Sequence, residues 1–271
     1  MEAELNSGAR MPMVGFGCMM PPAQTPDAVA CALETGYRSL DTAAAYGNEA
    51  EVGRAIAAGA VPREALFVTT KLWNTEHGRD RTLRAFEASL QALDLESVDL
   101  YLIHWPVPVN GMYVETWKAL VELRAEGRAR SIGVSNFEIP HLERIVDATG
   151  VVPAVNQIEL HPLLQQRGLR DFHARAGIVT QAWSPLAQGL ALRSPVVSEL
   201  ARRHGRSPAQ VVLRWHLQLG SAVIPRSVTP ARIAENLAVL DFELDVDDMA
   251  RMGALDAGAR TGPHPDTFVD D

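Results

Sequence analysis

Eight short apolar runs recur along this chain, and each is followed by a segment with helical character. The strand-like runs lie at residues 14–18, 39–42, 67–71, 100–104, 131–135, 155–159, 179–184 and 223–226. Helix starts are indicated by the pairs Thr25-Pro26 and Thr229-Pro230, and helix ends by Gly36 and Gly220. Eight strand–helix alternations in roughly 250 residues predict an α/β fold, a (β/α)8 TIM barrel forming one domain over residues 1–271. An open doubly wound sheet is the alternative, but no GxGxxG pattern follows the first run.

Three further local patterns refine this prediction. Residues 1–12 are expected to form a small hairpin that closes the bottom of the barrel. Residues 195–204 are typical of an extra helix before the segment that begins at Ser207. Apolar residues recur at helical spacing at Leu83, Phe86, Leu90 and Leu93, which predicts a helix with one face against the sheet.

Composition excludes several classes of protein. With 271 residues and 47% hydrophobic content, the chain buries a substantial core, and its net charge of −8 argues against nucleic-acid or membrane-surface partners. Cys18 and Cys31 have a spacing that matches no disulfide framework or metal motif, so we predict no metal site. The first residues lack the apolar core of a signal peptide. We therefore expect a cytoplasmic protein that acts on small molecules and, without a long heptad run, is a monomer.

Four polar residues each follow a predicted strand, namely Asp41, Tyr46, Lys71 and His104. Taken singly, such an aspartate is usually a turn residue, such a tyrosine a rim aromatic and such a histidine a bonded core residue. A buried lysine, however, needs a counter-charge, and Asp41 on the neighbouring strand is the obvious partner of Lys71. Since the carboxyl ends of barrel strands meet at one mouth, the four residues are predicted to form a catalytic site. These residue types suit acid-assisted hydride transfer to a carbonyl group.

Three long segments carry a resemblance to a known family. They are GYRSLDTAAAYGNEAEVG at 36–53, RSIGVSNF at 130–137 and IPRSVTPARIAEN at 224–236. The shorter motifs KLWN, HWP and NQIELHP lie between them in the family's order. The chain resembles the aldo-keto reductases over nearly its whole length. The phrase QAWSPLAQG and the tail GPHPDTFVDD most resemble bacterial reductases of the 2,5-diketogluconate reductase type.

The resemblance implies a role for each of the four residues. Tyr46 would give the proton to the carbonyl oxygen, and the Lys71 ammonium would lower the pKa of Tyr46. Asp41 would keep Lys71 charged and aimed. His104 would hydrogen-bond the carbonyl oxygen of the substrate. The implied activity is NADPH-dependent reduction of small aldehydes, α-keto esters or keto sugars such as 2,5-diketo-D-gluconate to alcohols.

The same resemblance implies how the nicotinamide end of NADPH, or of its oxidised form NADP, is held. Ser135, Asn136 and Gln157 match the residues that hydrogen-bond the carboxamide. Trp183 matches the aromatic residue that stacks beneath the nicotinamide ring. The residues that follow Trp183 match a loop that runs over the pyrophosphate.

The other end of the cofactor is assigned to the last predicted helix. Arg232 and Asn236 lie one turn apart near its start, where cations and backbone N–H groups suit the 2′-phosphate and adenine of NADP. We therefore predict NADPH over NADH. The complete predicted cofactor set is Gly17, Cys18, Met19, Asp41, Ser135, Asn136, Gln157, Trp183, Ser184, Pro185, Leu186, Gln188, Gly189, Ile224, Pro225, Arg226, Ser227, Val228, Arg232, Glu235 and Asn236.

This chain also departs from its relatives in three places. Cys18 stands where many have threonine, and Arg226 stands where lysine is common. The tail after Asp256 is short, which predicts an open substrate pocket. The predicted pocket is mainly apolar and surrounds His104 and Tyr46, with Phe16, Met19, Trp73, Trp105 and Phe268 as its lining.

Two alternative functions are left open by the residues. The first is an NADPH-binding sensing subunit of the same fold with little turnover, which the complete set of four disfavours. The second is a metal-dependent barrel hydrolase, which the scattered histidines and the lack of an HxH strand motif disfavour.

Overall fold

A closed barrel of parallel strands forms the centre of the computed structural model, which describes residues 1–269. The strands are β1 (Glu2–Glu4), β2 (Arg10–Pro12), β3 (Phe16–Gly17), β4 (Ser39–Asp41), β5 (Phe67–Leu72), β6 (Val98–Ile103), β7 (Ala129–Ser135), β8 (Val155–Glu159), β9 (Val179–Trp183) and β10 (Ala222–Val223). Strands β3 to β10 are hydrogen-bonded in chain order. A parallel bridge between Val14 and Val223 joins the first barrel segment to the last. The predicted (β/α)8 barrel is confirmed.

Helices connect the strands on the outside of the barrel. They are α1 (Thr25–Thr35), α2 (Glu49–Ala58), α3 (Arg79–Leu93), α4 (Tyr113–Ala125), α5 (Ile139–Thr149), α6 (Arg167–Ala176), α7 (Pro195–His204), α8 (Pro208–Gln218), α9 (Pro230–Leu237) and α10 (Val246–Gly253). The extra helix predicted at 195–204 is α7. Ser207 caps α8 in a reciprocal pair of hydrogen bonds with Gln210. Among residues 1–269, no helix combines the length and apolar character needed to cross a membrane.

The amino-terminal hairpin is present where it was expected. Strands β1 and β2 pair antiparallel, with Glu2 opposite Pro12. In the turn between them, the hydroxyl of Ser7 lies 2.7 Å from that of Ser131 in β7. The Asn6 amide donates to the carbonyl oxygens of Val152 and Pro153, just before β8. The hairpin therefore covers the end of the barrel at which the strands begin.

Several predicted strand and helix limits differ from the structure by a few residues, and two of the differences are explained by tertiary contacts. Thr25 does not cap α1, because it has helical backbone angles and follows the capping residue Gln24. Its hydroxyl instead donates to the carbonyl oxygen of Pro21 and accepts a hydrogen bond from Asn48. Strand β6 begins at Val98 rather than residue 100. The charged Asp99 is accommodated in this strand because arginines from outside the strand reach its carboxylate, including Arg63 at 2.7 Å.

Close packing explains the glycine that ends the first long sequence segment. A Cβ atom at Gly53 in α2 would lie 2.3 Å from the carbonyl oxygen of Leu93, at the end of α3. Only glycine permits this approach of the two helices. On the neighbouring α3, Phe86, Leu90 and Leu93 are buried in the main core, as their spacing predicted, and Leu83 packs at its margin.

Neutral buried histidines make stability depend on pH. Burial lowers the pKa of His77 and His173 to about 4 and that of His216 to about 3, against an ordinary value of 6.5. Below pH 6.5 the unfolded chain therefore binds protons that the folded protein does not. We expect the free energy of unfolding to fall as the pH is lowered from about 6.5 toward 4, by up to about 1.4 kcal/mol per pH unit for each histidine.

Urea unfolding at a series of pH values between 8 and 4.5 measures this dependence. Replacing His173 by Gln, which keeps polar side-chain atoms near Asn156 and Thr180, should make the slope shallower. A slope that is unchanged in His173→Gln, or an unfolding free energy that is flat below pH 6.5, would contradict the prediction.

Candidate active site

Lys71 is the centre of a hydrogen-bonded cluster at the mouth of the barrel. Its Nζ atom lies 2.5 Å from Oδ1 of Asp41, 2.9 Å from the carbonyl oxygen of Thr42 and 3.3 Å from the hydroxyl of Tyr46. Asp41 ends β4 and Lys71 lies near the end of β5, and parallel pairing of these neighbouring strands brings the two residues together. Both side chains are almost completely buried. The predicted ion pair is therefore present, with the tyrosine hydroxyl at its edge.

The protonation of this cluster follows from burial and charge together. Burial, the largest single effect, would lower the pKa of Lys71, but the charge of Asp41 together with Tyr46 and the hydrogen bonds to both residues outweighs it, so the net pKa is raised and the ammonium form is held. Burial also raises the pKa of the Tyr46 phenol, and the Lys71 ammonium opposes this effect without reversing it. The predicted lowering effect of Lys71 on the Tyr46 pKa is therefore present, but burial, which the sequence analysis did not weigh, exceeds it. Tyr46 is a neutral phenol that can give a proton.

His104 completes the group of four at the end of β6. Its ring centroid lies 5.8 Å from that of Tyr46 and 5.0 Å from that of Trp73. Burial, followed by the charge of Lys71, holds the pKa of His104 well below its ordinary value, so the ring is neutral. Nδ1 is buried and, among the described residues, has no partner, whereas Nε2 is not sealed from solvent. Nε2 is the ring nitrogen available to a molecule at the mouth.

A second cluster lies beside the first and contains the residues predicted to hold the carboxamide. The Asn136 amide donates to the carbonyl oxygen of His104 and to the hydroxyl of Ser135, each at 3.0 Å. Asn136 also accepts a hydrogen bond of 2.8 Å from the indole nitrogen of Trp183. The Gln157 amide donates to Oδ2 of Asp41 at 2.7 Å, so the two clusters are joined.

The loop that follows Trp183 has an unusual backbone. Ser184, Ala187 and Gln188 have φ values of 46°, 51° and 53°, in the left-handed region that non-glycine residues rarely adopt. The carbonyl oxygen of Pro185 accepts a hydrogen bond from the buried His216 in α8. The rest of the predicted loop follows, with Leu186 and Gly189 half-buried. Strained loops of this kind cluster at ligand-binding sites, which is consistent with the prediction.

The predicted phosphate-binding residues lie around the start of α9. Arg232 is exposed, and Arg226 is exposed and donates to the carbonyl oxygen of Met19. Asn236, one turn after Arg232, is buried, so only Arg232 of that pair is fully open to solvent. Glu235 accepts a short hydrogen bond from the hydroxyl of Ser207. Among the other predicted cofactor residues, three are buried (Cys18, Ile224 and Pro225), Ser227 is half-buried and Val228 is exposed.

One predicted pocket residue does not reach the pocket. Phe16 is paired with Leu40 in the β3–β4 register and therefore points to the opposite side of the sheet from Gly17 and Asp41. It is 1% exposed and packs edge-on against Tyr37, with ring centroids 5.5 Å apart. The prediction that Phe16 contacts substrate is therefore wrong. Met19, in contrast, is exposed beside the mouth.

The other aromatic residues of the predicted pocket, Trp73, Trp105 and Phe268, form an aromatic wall with Trp183, and the name is used below for these four residues. Phe268 lies 4.5 Å from Trp105 and 6.5 Å from Trp73 between ring centroids, and Trp105 lies 6.3 Å from Trp183. Trp73 is also the neighbour of His104. The aromatic wall thus extends from His104 to Trp183, the residue predicted to stack on the nicotinamide. The last two residues of the tail motif, 270 and 271, lie outside the described part of the chain.

A buried carboxylate that the sequence analysis did not single out holds the tail in place. Glu159, at the end of β8, accepts hydrogen bonds of 2.6 Å from both the backbone nitrogen and the hydroxyl of Thr261. Burial alone would raise the pKa of Glu159, but hydrogen bonds from His161 and Thr261 lower it below its ordinary value. Glu159 belongs to the NQIELHP motif, so its position was visible in the sequence, but its partner 102 residues away was not.

Comparisons with known proteins agree with this geometry. The model of the aldo/keto reductase family matches residues 14–257. An aldo-keto reductase of Mycolicibacterium smegmatis is 58% identical, over 97% of this chain and 96% of that protein. Methylglyoxal reductase DkgA of Escherichia coli K12 is 52% identical, over 98% of this chain and 97% of DkgA.

Solved structures give the same result. The apo structure of Gox0644 has a TM-score of 0.96 and 52% identity, covering 100% of this chain and 99% of the other. The Bombyx mori aldo-keto reductase AKR2E4, solved in complex with NADP, has a TM-score of 0.90 and 36% identity, covering 96% and 94%. The chain belongs to the aldo/keto reductase family, as its motifs indicated.

Proposed function

We propose that this protein reduces aldehydes and ketones to alcohols with NADPH. The observation that carries the proposal is the buried Lys71 ammonium, which is paired with Asp41 and hydrogen-bonded to the Tyr46 hydroxyl beside a neutral His104. A phenol with such a neighbour can protonate an oxygen on which negative charge develops. The names of two similar proteins add support, because one is a methylglyoxal reductase and the other was solved with NADP.

The residues at the mouth fit NADPH. The amide nitrogen of Gln157 is engaged by Asp41 and Gln181, so its carbonyl oxygen is left as an acceptor for the amide of a nicotinamide. The indole ring of Trp183 is half-buried beside it. Near the start of α9, Arg226 and Arg232 supply two exposed cations for a phosphate group. When bound, the nicotinamide supplies the hydride that is added to the carbonyl carbon.

The protein's own groups handle the proton and the orientation of the substrate. The rings of His104 and Tyr46 lie edge to face with their centroids 5.8 Å apart, so Nε2 of His104 and the Tyr46 hydroxyl can both contact one carbonyl oxygen and fix its direction. As the oxygen gains charge, Tyr46 gives it a proton, and the Lys71 ammonium stabilises the phenolate that is left. Asp41 keeps Lys71 protonated throughout, because their distance is 2.5 Å in a buried site.

For the substrate we propose small carbonyl compounds, including α-dicarbonyls such as methylglyoxal, α-keto esters and keto sugars such as 2,5-diketo-D-gluconate. The aromatic wall favours a flat or apolar group next to the carbonyl. The nearby polar groups can hydrogen-bond a second carbonyl or hydroxyl.

Consumption of NADPH by the purified protein tests the function. We expect turnover with methylglyoxal and simple aromatic aldehydes, a much lower rate with NADH, and no effect of EDTA. Tight NADPH binding without turnover on any substrate would instead favour a sensing role. Loss of activity in EDTA would favour metal chemistry.

The tail offers a specific test of the substrate site. Phe268→Ala removes one member of the aromatic wall, and an aromatic contact contributes about 0.5–1.5 kcal/mol beyond its buried area. We therefore expect KM for benzaldehyde to rise by roughly 3- to 10-fold, with a smaller change for methylglyoxal and no change in NADPH affinity. Val269→Ala, at the exposed neighbouring position, is the matched control. Equal effects of Phe268→Ala on both substrates would contradict the placement.

A further inference from the structure

Gln157 has its orientation imposed by its neighbours. Its side-chain nitrogen lies 2.7 Å from Oδ2 of Asp41 and 2.7 Å from Oε1 of Gln181. The Asp41 carboxylate only accepts hydrogen bonds, so the NH2 end of Gln157 must face it. The bond crosses the barrel interior, since β4 and β8 are not neighbours. Asp41, Gln157 and Gln181 are each at most 2% exposed.

Gln181 takes up the second N–H of Gln157. The two glutamines are direct partners in the register of β8 and β9, so their side chains lie side by side. Because Gln181 accepts through Oε1, its own amide nitrogen is directed to the sulfur of Met11 at 3.9 Å. A continuous row therefore runs from Tyr46 through Lys71, Asp41 and Gln157 to Gln181.

This row leaves a single group open in the cluster predicted to hold the carboxamide. Both ends of the Asn136 amide are engaged, by His104 and Ser135 at one end and by Trp183 at the other. The hydroxyl of Ser135 donates to the backbone oxygen of Gln157. Oε1 of Gln157, however, has no hydrogen-bond partner within residues 1–269 and is not sealed from solvent.

We propose that Gln181 is a positioning residue for the cofactor. Gln181 occupies the second N–H of Gln157, so Gln157 offers only an acceptor oxygen to the mouth. The site therefore selects the nicotinamide carboxamide through the N–H groups of that carboxamide. The same row ties recognition of the carboxamide to the Asp41–Lys71 pair. The inference rests on the proposed function, because it concerns the same cofactor site.

The test compares two cofactors that differ in the donor alone. NADP carries the carboxamide, and its 3-acetylpyridine analogue replaces the amide NH2 by a methyl group. For the native protein we expect the analogue to bind roughly 10-fold more weakly, as measured by quenching of tryptophan fluorescence. Gln181→Met has a similar volume but no carbonyl oxygen, so the second N–H of Gln157 is released and can face the mouth beside Oε1 while the first N–H stays on Asp41, and the ratio of the two Kd values should fall to about 1–2.

Two further variants separate positioning from structural damage. Gln181→Glu keeps an acceptor for Gln157 and should retain the native ratio. Gln165→Met makes the same substitution at a buried glutamine outside the site, where Gln165 bonds backbone oxygens near α10, and it should also retain the ratio. If Gln181→Met does not fold, Gln181→Val gives the same comparison with a residue suited to a strand.

The outcomes separate the two proposals. A native protein that binds neither cofactor would overturn the proposed function itself. A native protein that binds both equally, or a Gln181→Met ratio equal to the native one, would leave the function standing and overturn the role of Gln181.

Discussion

Tyr46→Phe should reduce kcat/KM by about 10²- to 10⁴-fold, because it removes the proton donor while keeping the aromatic ring. The Lys71 ammonium keeps its bonds to Asp41 and to the backbone oxygen of Thr42, so the site stays folded. We expect the Kd for NADPH to change by less than about twofold, since the lost hydroxyl acts on the substrate oxygen. Steady-state kinetics with methylglyoxal and fluorescence titration with NADPH measure the two quantities.

Tyr113→Phe is the matched control for this experiment. Tyr113 is buried in α4 and packs against Phe137 and His141, away from the mouth. It should keep native kinetics. A Tyr46→Phe variant that retains most of its turnover would rule out Tyr46 as the donor, and one that loses NADPH binding together with turnover would assign it to cofactor binding.

Breaking the buried ion pair should have the largest effect on stability. Lys71→Met leaves the Asp41 carboxylate buried without its counter-charge, and loss of one partner of such a pair costs about 3–5 kcal/mol. The double variant Asp41→Asn/Lys71→Met removes both charges, and Asn at this position can still accept the hydrogen bond from Gln157. We therefore expect the double variant to be more stable than Lys71→Met, although both are inactive. Urea unfolding at pH 7.5 provides the comparison.

Lys118→Met serves as the control, because it makes the same substitution in an exposed pair with Glu115. Exposed pairs are screened by solvent and contribute little. If Lys71→Met were no less stable than Lys118→Met, or the double variant were the least stable of the three, the buried charges would not have the coupling that we infer.

Much of the fold was predictable because its signals are local. Apolar runs between turn residues mark the strands, and proline and glycine mark the helix ends, so all eight barrel strands were found within a few residues. The misplaced details depend on distant partners. Asp99 is accepted inside β6 because Arg63, Arg130 and the backbone N–H of Val68 reach its carboxylate, and the hydroxyl of Thr25 is engaged by Pro21 and Asn48.

The four polar residues at the mouth were predictable for a geometric reason. Asp41, Lys71 and His104 end or follow successive parallel strands, and such ends gather at one face of a barrel. Phe16 was misassigned because closeness in sequence to that face does not give the direction of a side chain, which alternates along a strand. Gln181 carried no local signal, and Glu159 was visible only as a member of the NQIELHP motif, since a glutamine or glutamate in a strand has many ordinary explanations.

The sequence by itself determined the order of strands and helices, the family and the residues that meet at the barrel mouth, because each follows from patterns that neighbouring residues carry. Only the tertiary structure decided the sign of the Tyr46 pKa shift, since burial and the Lys71 charge act in opposite directions and their balance depends on how much water is excluded. The structure also decided that the amide nitrogen of Gln157 faces Asp41 and that Thr261 is held by Glu159. Those contacts join strands and segments far apart in the chain, and their geometry exists only after the barrel has closed.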